Sequence, residues 1–322
     1  MKTLEEINAI VEKYSTFKTD VVFDMQTMFK NYLEYCKHIQ TNKALTGISS
    51  IDSGLGGIRP GELAAFVGAT NVGKTSFAVL AAKATSQVMP EKIIPVICTE
   101  PTEIDMIERY LQQELDKYTI EVERLCKDIT FESEEGQKIF MQLKKYENII
   151  HVVKALKENE LIPYIKMLEE ITNKKCGFFI VDHIQGMKTD IKGNRAERLE
   201  WIVSEMKQVV NTLKIPGMFV SHAAREDVKD RKEITLHSGK GSGELENSAQ
   251  IMFGLELAKD FPIGFDMHDQ IGTVDNPGKY KLIVCNPLKK KRGSAQKAYL
   301  LQNCKTTEIT EYERGISNND LF

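Results

Sequence analysis

Two hydrophobic rhythms divide the chain. In the first 41 residues, Val21, Val22, Phe23, Met25, Met28, Phe29, Tyr32, Leu33 and Cys36 recur at intervals of three and four. That spacing predicts one apolar face on a helix of roughly five turns. No second long helix in this arm can cover the face, so it must pack on the body of the same chain or on a neighbouring copy. From Thr46 onward the rhythm changes. Short, nearly continuous apolar runs at 62–67, 93–98, 177–181, 217–221, 250–255 and 280–285 predict strands. Amphipathic stretches at 76–86, 103–115, 160–172 and 195–213 predict helices between most of the early strands. Apolar strands alternating with such helices imply a parallel sheet covered on both faces. Polar, glycine-containing segments at 225–240 and 260–279 read as loops. The expected organisation is a helical arm over 1–41 followed by one α/β domain over 42–322.

Composition narrows the class. The 322 residues are 42% hydrophobic and 28% charged, with only 21 glycines and 9 prolines. That is a globular composition, not a disordered or collagen-like one. Lysine and arginine total 43 against 46 acidic residues, a formal charge of -3. The balance argues against a uniformly basic DNA-coating protein, so any nucleic-acid surface must be local. The six cysteines stand singly, without a C-x-x-C pair or zinc-knuckle spacing. Several fall in apolar runs as small core residues, which suits a reducing compartment, most simply the cytoplasm, or a host cell's cytoplasm for a viral protein. Acidic residues near the N-terminus stand where a signal peptide would be apolar, and no run approaches ~18 apolar residues, so no membrane association is expected.

The strongest chemical signal is the run Gly68, Ala69, Thr70, Asn71, Val72, Gly73, Lys74 and Thr75, with Ser76 following. It matches G-x-x-x-x-G-K-[ST] in full, after a predicted strand and before a predicted helix, as the motif requires. Glycines let the backbone wrap phosphates, and exposed N–H groups with the helix N-terminus supply positive potential. Lys74 is expected on the β- and γ-phosphates of a nucleoside triphosphate and Thr75 on Mg²⁺. A second signal is the apolar strand that runs into Asp182, an acid suited to the Mg²⁺ shell opposite the phosphate loop. A third is the strand that runs into Glu100, the first after the phosphate-loop helix, where a carboxylate could polarise the attacking water. Glu103 is equally entitled to that role on sequence alone.

Around these motifs the chain resembles the RecA-type ATPase core of DnaB-type replicative helicases. The stretch Thr46-Gly-Ile-x-x-Ile-Asp-x-Gly-Leu-Gly-Gly-Ile-x-Pro-Gly-Glu-Leu63 leads into the phosphate loop as it does in that family. Val181-Asp-His-Ile-Gln185 is similar to its second nucleotide motif, Ser221-His-Ala-Ala-Arg225 to its strand-end sensor, and Ser242-Gly-Glu-Leu-Glu-Asn-Ser-Ala-Gln250 to its DNA-loop motif. Lys289-Lys-Lys-Arg-Gly293 sits where the family carries a lysine and an arginine finger. The agreement in order extends from about Thr46 to Lys305.

The resemblance implies a RecA-like P-loop NTPase fold and an ATP- and Mg²⁺-dependent DNA helicase that translocates on single-stranded DNA at a replication fork. It gives Glu100 the catalytic-base role and Asp182 the Mg²⁺ role, and lets Gln185 and His222 sense the γ-phosphate. Lys240, Gly241, Ser242 and Gly243 match the loop that grips the single-stranded backbone. Lys289, Lys291 and Arg292 are the candidate finger residues, acting across a subunit boundary in a homo-oligomeric ring, expected as a hexamer, with primase or other replication proteins as partners. Three departures accompany it. His222 stands where the family usually has Gln, Asn71-Val72 replaces a further glycine or a methionine, and 41 residues are too few for the family's primase-docking domain. Alternatives are a recombinase-like or clock-like ATPase without unwinding, and a helicase-like loader or interaction subunit.

Overall fold

A computed structural model of the chain describes residues 24–223, 234, 248–262, 265–272 and 278–312. By its internal contacts the chain divides between Thr41 and Asn42 into two compact units. In the first, helix α1 covers Met25–Gln40 and is capped by Asp24, whose side chain accepts a hydrogen bond from the Thr27 N–H at 2.7 Å. The apolar periodicity begins upstream, at Val21, but the carboxylate satisfies an end N–H group and so sets the helix start at residue 25.

The second unit is built on a nine-stranded sheet in the order β3-β2-β4-β5-β1-β6-β7-β8-β9. The strands are β1 (Leu63–Gly68), β2 (Ile94–Cys98), β3 (Ile149–Val153), β4 (Phe179–Asp182), β5 (Gly217–His222), β6 (Ile251–Leu257), β7 (Tyr280–Lys290), β8 (Ala298–Asn303) and β9 (Ile309–Glu311). From β3 to β6 all pairings are parallel, and β6 to β9 run antiparallel. The helices are α2 (Ser49–Leu55), α3 (Lys74–Val88), α4 (Glu103–Leu115), α5 (Thr119–Cys126), α6 (Glu134–Leu143), α7 (Leu161–Thr172) and α8 (Arg195–Leu213). This is the expected α/β sheet. Every residue of β1 is buried, because alternate side chains enter different cores. Ala64 and Phe66 join α2 and α3 on one face, while Leu63, Ala65 and Val67 meet α7 and α8 on the other. Phe66 packs on Phe77 of α3 at 4.2 Å and stacks on Phe253 of β6 at 4.9 Å. Burial of each such ring contributes roughly 1.5–3 kcal/mol, which is why the central strand tolerates no polar alternation.

The strand order positions the site. Gly68 pairs with His222 and Cys98 pairs with Asp182, so β1, β2, β4 and β5 end together at one edge of the sheet. Their following loops open into the crevice outside the carboxyl ends of the strands, the usual ligand position in such sheets. The lysine run lies elsewhere. Lys290 pairs with Ile251 at the start of β6, whereas Leu255, near its other end, pairs beside Gly68. The run therefore sits at the edge opposite its own phosphate loop.

Arg292 corrects an expectation. Its guanidinium donates to both Glu62 carboxylate oxygens, at 3.2 and 2.7 Å, and to the Gly57 carbonyl at 2.8 Å. The pair is largely buried, with side-chain exposures of 19% and 7%, so Arg292 neutralises an interior carboxylate of its own chain and does not project outward. Gly293 follows at φ 70, where an added Cβ would meet the Gly54 carbonyl at 2.3 Å, so the chain after the run is held tightly to α2. The remaining finger candidates, Lys289 and Lys291, crowd Lys207 of α8, whose ammonium is lowered first by burial and then by their charges.

The three buried cysteines behave as core atoms, and burial pushes the Cys98 and Cys176 thiols up to about 12. No helix among the described residues is long and apolar enough to cross a membrane. His151 of β3 lies 3.2 Å from the Tyr110 hydroxyl, and burial brings its imidazole down from 6.5 to about 4. Its folded pKa is below the unfolded one, so the associated stability is present above pH ~6.5 and lost as pH falls toward ~4. Between about pH 7 and pH 5, denaturant unfolding should register a loss of up to about 2 kcal/mol from this residue. A His151→Gln chain should lose correspondingly less, and an equal loss in both proteins would remove His151 as the cause.

Candidate nucleotide site

The phosphate loop runs from the end of β1 into α3. Asn71 and Gly73 both adopt positive φ, 64 and 88, and Gly73 caps the helix without a side chain. A Cβ on Gly73 would also meet the side-chain amide of Gln302 at 3.0 Å, so glycine is required there twice over. Lys74 opens the helix and donates its Nζ to the Ala69 carbonyl at 2.6 Å, lying back across its own loop. Burial lowers its ammonium to about 8, against the pull of Asp182 and Glu100. A polyanion in the loop would supply the charge this lysine lacks.

Asp182 ends β4 nearly buried, and burial pushes its carboxyl up. The Thr75 hydroxyl, His183, Arg109 and Lys74 oppose that shift. One of its oxygens, Oδ2, is buried with no hydrogen-bond partner among the described residues. An orphaned carboxylate oxygen beside a threonine hydroxyl is the hard, all-oxygen donor set that Mg²⁺ takes. The residues present therefore fit the ion.

Glu100 lies just beyond β2 with its side chain 70% exposed, and its Oε1 is 3.4 Å from His183 Nε2. Glu103, the sequence rival, instead begins α4. Burial lowers His183, with Glu100 and Asp182 pulling the other way. Its ring meets that of His222 edge to face at 4.4 Å. Gln185, in the turn Ile184–Gly186, donates to the Ser221 hydroxyl at 2.7 Å and accepts from the His222 N–H at 3.3 Å. The ends of β4 and β5 are thereby tied through one amide. The structure thus gathers Lys74, Thr75, Asp182, Glu100, Gln185 and His222 at one edge, and leaves Lys289, Lys291 and Arg292 at the other. Lys240, Gly241, Ser242 and Gly243 lie outside the described residues.

Two side chains beside the loop carry no sequence signal. Arg109 of α4 reaches the Ser76 hydroxyl at 3.5 Å, its charge lowers Asp182, and its buried Nε has no hydrogen-bond partner among the described residues. Gln302 of β8 donates to the same hydroxyl at 3.0 Å. Both arrive from elements distant in the chain, so no local spacing marks them.

Residues 44–285 match the family model of the DnaB-like helicase C terminal domain. Among solved structures, the isolated ATPase domain of a DnaB-like helicase is similar with a TM-score of 0.73 and 16% identity, over 91% of this chain and 100% of that one. A DnaB-like replicative helicase studied for its interactions with primase is similar with a TM-score of 0.70 and 18% identity, over 96% and 73%. A KaiC-like protein, PH0186 from Pyrococcus horikoshii OT3, gives 0.52 and 14%, over 85% and 100%. No curated protein sequence matches the chain significantly. These structural likenesses establish the RecA-like helicase fold, and the family model goes further because it covers most of the chain. The chain belongs to the DnaB-like helicase C-terminal domain family.

Proposed function

We propose that the chain is an ATP-driven motor that translocates on single-stranded DNA and separates duplex at a replication fork, working as a ring of identical copies. The observation that carries this is the convergence of Lys74, Thr75, Asp182 and Glu100 on one sheet edge, with the basic run at the opposite edge of the same chain. ATP is the substrate. Lys74 and the loop N–H groups would hold its phosphates, while Thr75 and Asp182 would hold Mg²⁺, which when bound neutralises phosphate charge. The water oxygen bonds to the γ-phosphorus, the bond to the bridging oxygen breaks, and Glu100 accepts the proton as ADP and phosphate leave.

A copy's own basic run is too far round the sheet to serve its own loop, so Lys289 and Lys291 would act on the neighbour's nucleotide. Cations supplied in trans stabilise the charge of the transferring phosphoryl group. Gln185, bonded to the His222 backbone, would pass the state of the site toward the DNA loops. Primase or other replication proteins complete the proposed partners. A clock-like ATPase without unwinding is the second reading, favoured by the likeness to the KaiC-like protein.

The deciding assay is ATP-dependent unwinding of a forked duplex carrying either tail. Unwinding supports the helicase, DNA-stimulated hydrolysis without it supports the second reading, and neither activity removes both. In the same assay series, Lys240→Ala should weaken single-strand binding evenly across sequences and reduce the salt slope by about one. Basal hydrolysis should survive. Unchanged DNA affinity and slope would withdraw Lys240 from the DNA loop.

A further inference from the structure

We propose that Glu100, His183 and His222 form a second cation site beside the phosphate loop, selective for a divalent ion of the Zn²⁺ class. One ligand atom from each of the three residues lies within 4.8 Å of the other two. The Glu100 Oε1 to His183 Nε2 separation is 3.4 Å. Around a tetrahedral ion with bonds of ~2.0–2.1 Å, neighbouring ligand atoms stand about 3.3–3.5 Å apart. That pair is therefore already at ligand spacing, and the third donor needs only a small side-chain adjustment.

The supporting residues hold two of the three donors in place. Thr99 Oγ1 accepts from the His183 N–H at 3.1 Å and donates to the His183 carbonyl at 3.0 Å. The same hydroxyl lies 3.5 Å from ring Nδ1, which leaves Nε2 facing Glu100. This is the outer partner that usually orients a metal-binding imidazole. His222 ends β5 and is held by Gln185 through its backbone N–H at 3.3 Å. Glu100 is exposed and supplies the donor at the entry side. Nearby charge is mixed, since Lys74 and Arg195 oppose a cation at His183 while Glu100 and Asp182 attract one.

The two donor sets differ in kind. Thr75 and Asp182 offer only oxygen, whereas two imidazoles with one carboxylate favour ions late in the first transition row. An ion here would engage the carboxylate proposed to accept the proton from water, so an occupied site would hold hydrolysis off. That consequence rests on the reading of Glu100 given above, but binding of the ion does not.

The test is titration of Co²⁺ into the full chain without nucleotide, read by its visible ligand-field absorption. A saturable spectrum of a four- or five-coordinate ion should appear, be displaced by Zn²⁺, and persist in a large excess of Mg²⁺. His222→Gln and Glu100→Gln, both outside the core and checked for folding by circular dichroism, should each weaken Co²⁺ binding by at least ~10-fold. No such spectrum in the parent chain, or an affinity unchanged in both variants, would overturn the site. If Glu100→Gln abolishes hydrolysis while Co²⁺ binding is untouched, the motor reading stands and the cation site falls. Co²⁺ held through these residues in a chain without hydrolysis has the reverse meaning.

Discussion

A Glu100→Gln chain should bind ATP with near-parental affinity and hydrolyse it ~10²-fold or more slowly. The change keeps the size and hydrogen-bonding reach of the side chain and removes only its capacity to take a proton. Glu100 is exposed, and its side chain meets His183 at 3.4 Å without entering the core, so folding should be unaffected. The Lys74 ammonium feels the Glu100 charge, which puts the carboxylate within electrostatic range of the phosphates. Lys74→Ala should behave differently and weaken nucleotide binding itself, because it deletes the cation that lies across the loop. Glu103→Gln is the control, since that residue begins α4. Equilibrium binding of a labelled nucleotide and steady-state phosphate release separate the two effects. Near-normal turnover in Glu100→Gln together with loss in Glu103→Gln would transfer the base role to Glu103.

Arg292→Ala and Lys291→Ala should fail in different ways. Removing Arg292 strands the Glu62 carboxylate, which is 7% exposed and takes two of its hydrogen bonds from that guanidinium. Breaking one side of a buried ion pair costs about 3–5 kcal/mol, so the Arg292→Ala midpoint in denaturant should drop sharply. Lys291 is exposed, so Lys291→Ala should unfold like the parent yet lose hydrolysis by ~10²-fold or more, as expected for a cation supplied in trans. Mixed with Lys74→Ala chains, it should regain activity, because an intact basic run then meets an intact phosphate loop across a subunit boundary. A stable Arg292→Ala chain would undo the structural assignment of the pair. No recovery on mixing, for Lys291→Ala and for Lys289→Ala alike, would end the trans reading.

The elements most legible in the sequence are those whose signal is local. Helices over 103–115 and 195–213 coincide with α4 and α8, because capping boxes at Thr102 and Asn194 mark their starts and apolar periodicity runs to their ends. The strands of the parallel sheet are found within a residue or two for the same reason, as unbroken apolar runs. Less legible are β3, β8 and β9, and the short helices α5 and α6. Ile149–Val153 carries a histidine, Ala298–Asn303 ends in polar residues, and Ile309–Glu311 is too short to show a period. Each is stabilised by the neighbour it pairs with, a tertiary effect that overrides weak local preference.

The site divides along the same line. Gly68 to Thr75 announces a phosphate loop by itself, since backbone wrapping and a helix N-terminus need those residues at consecutive positions. The strand ends at Glu100, Asp182 and His222 are visible as positions, but their meeting at one edge follows from a strand order that no local pattern encodes. Arg292 shows the limit most plainly. In the chain it is the last of four adjacent cations and indistinguishable from its neighbours in chemistry. Only the fold brings Glu62, 230 positions away, under its guanidinium. Local sequence dictates which residues can bind phosphate, because that chemistry is contiguous. The fold settles which cation is consumed internally and which stays at the surface, because burial and charge pairing depend on residues far apart in the chain.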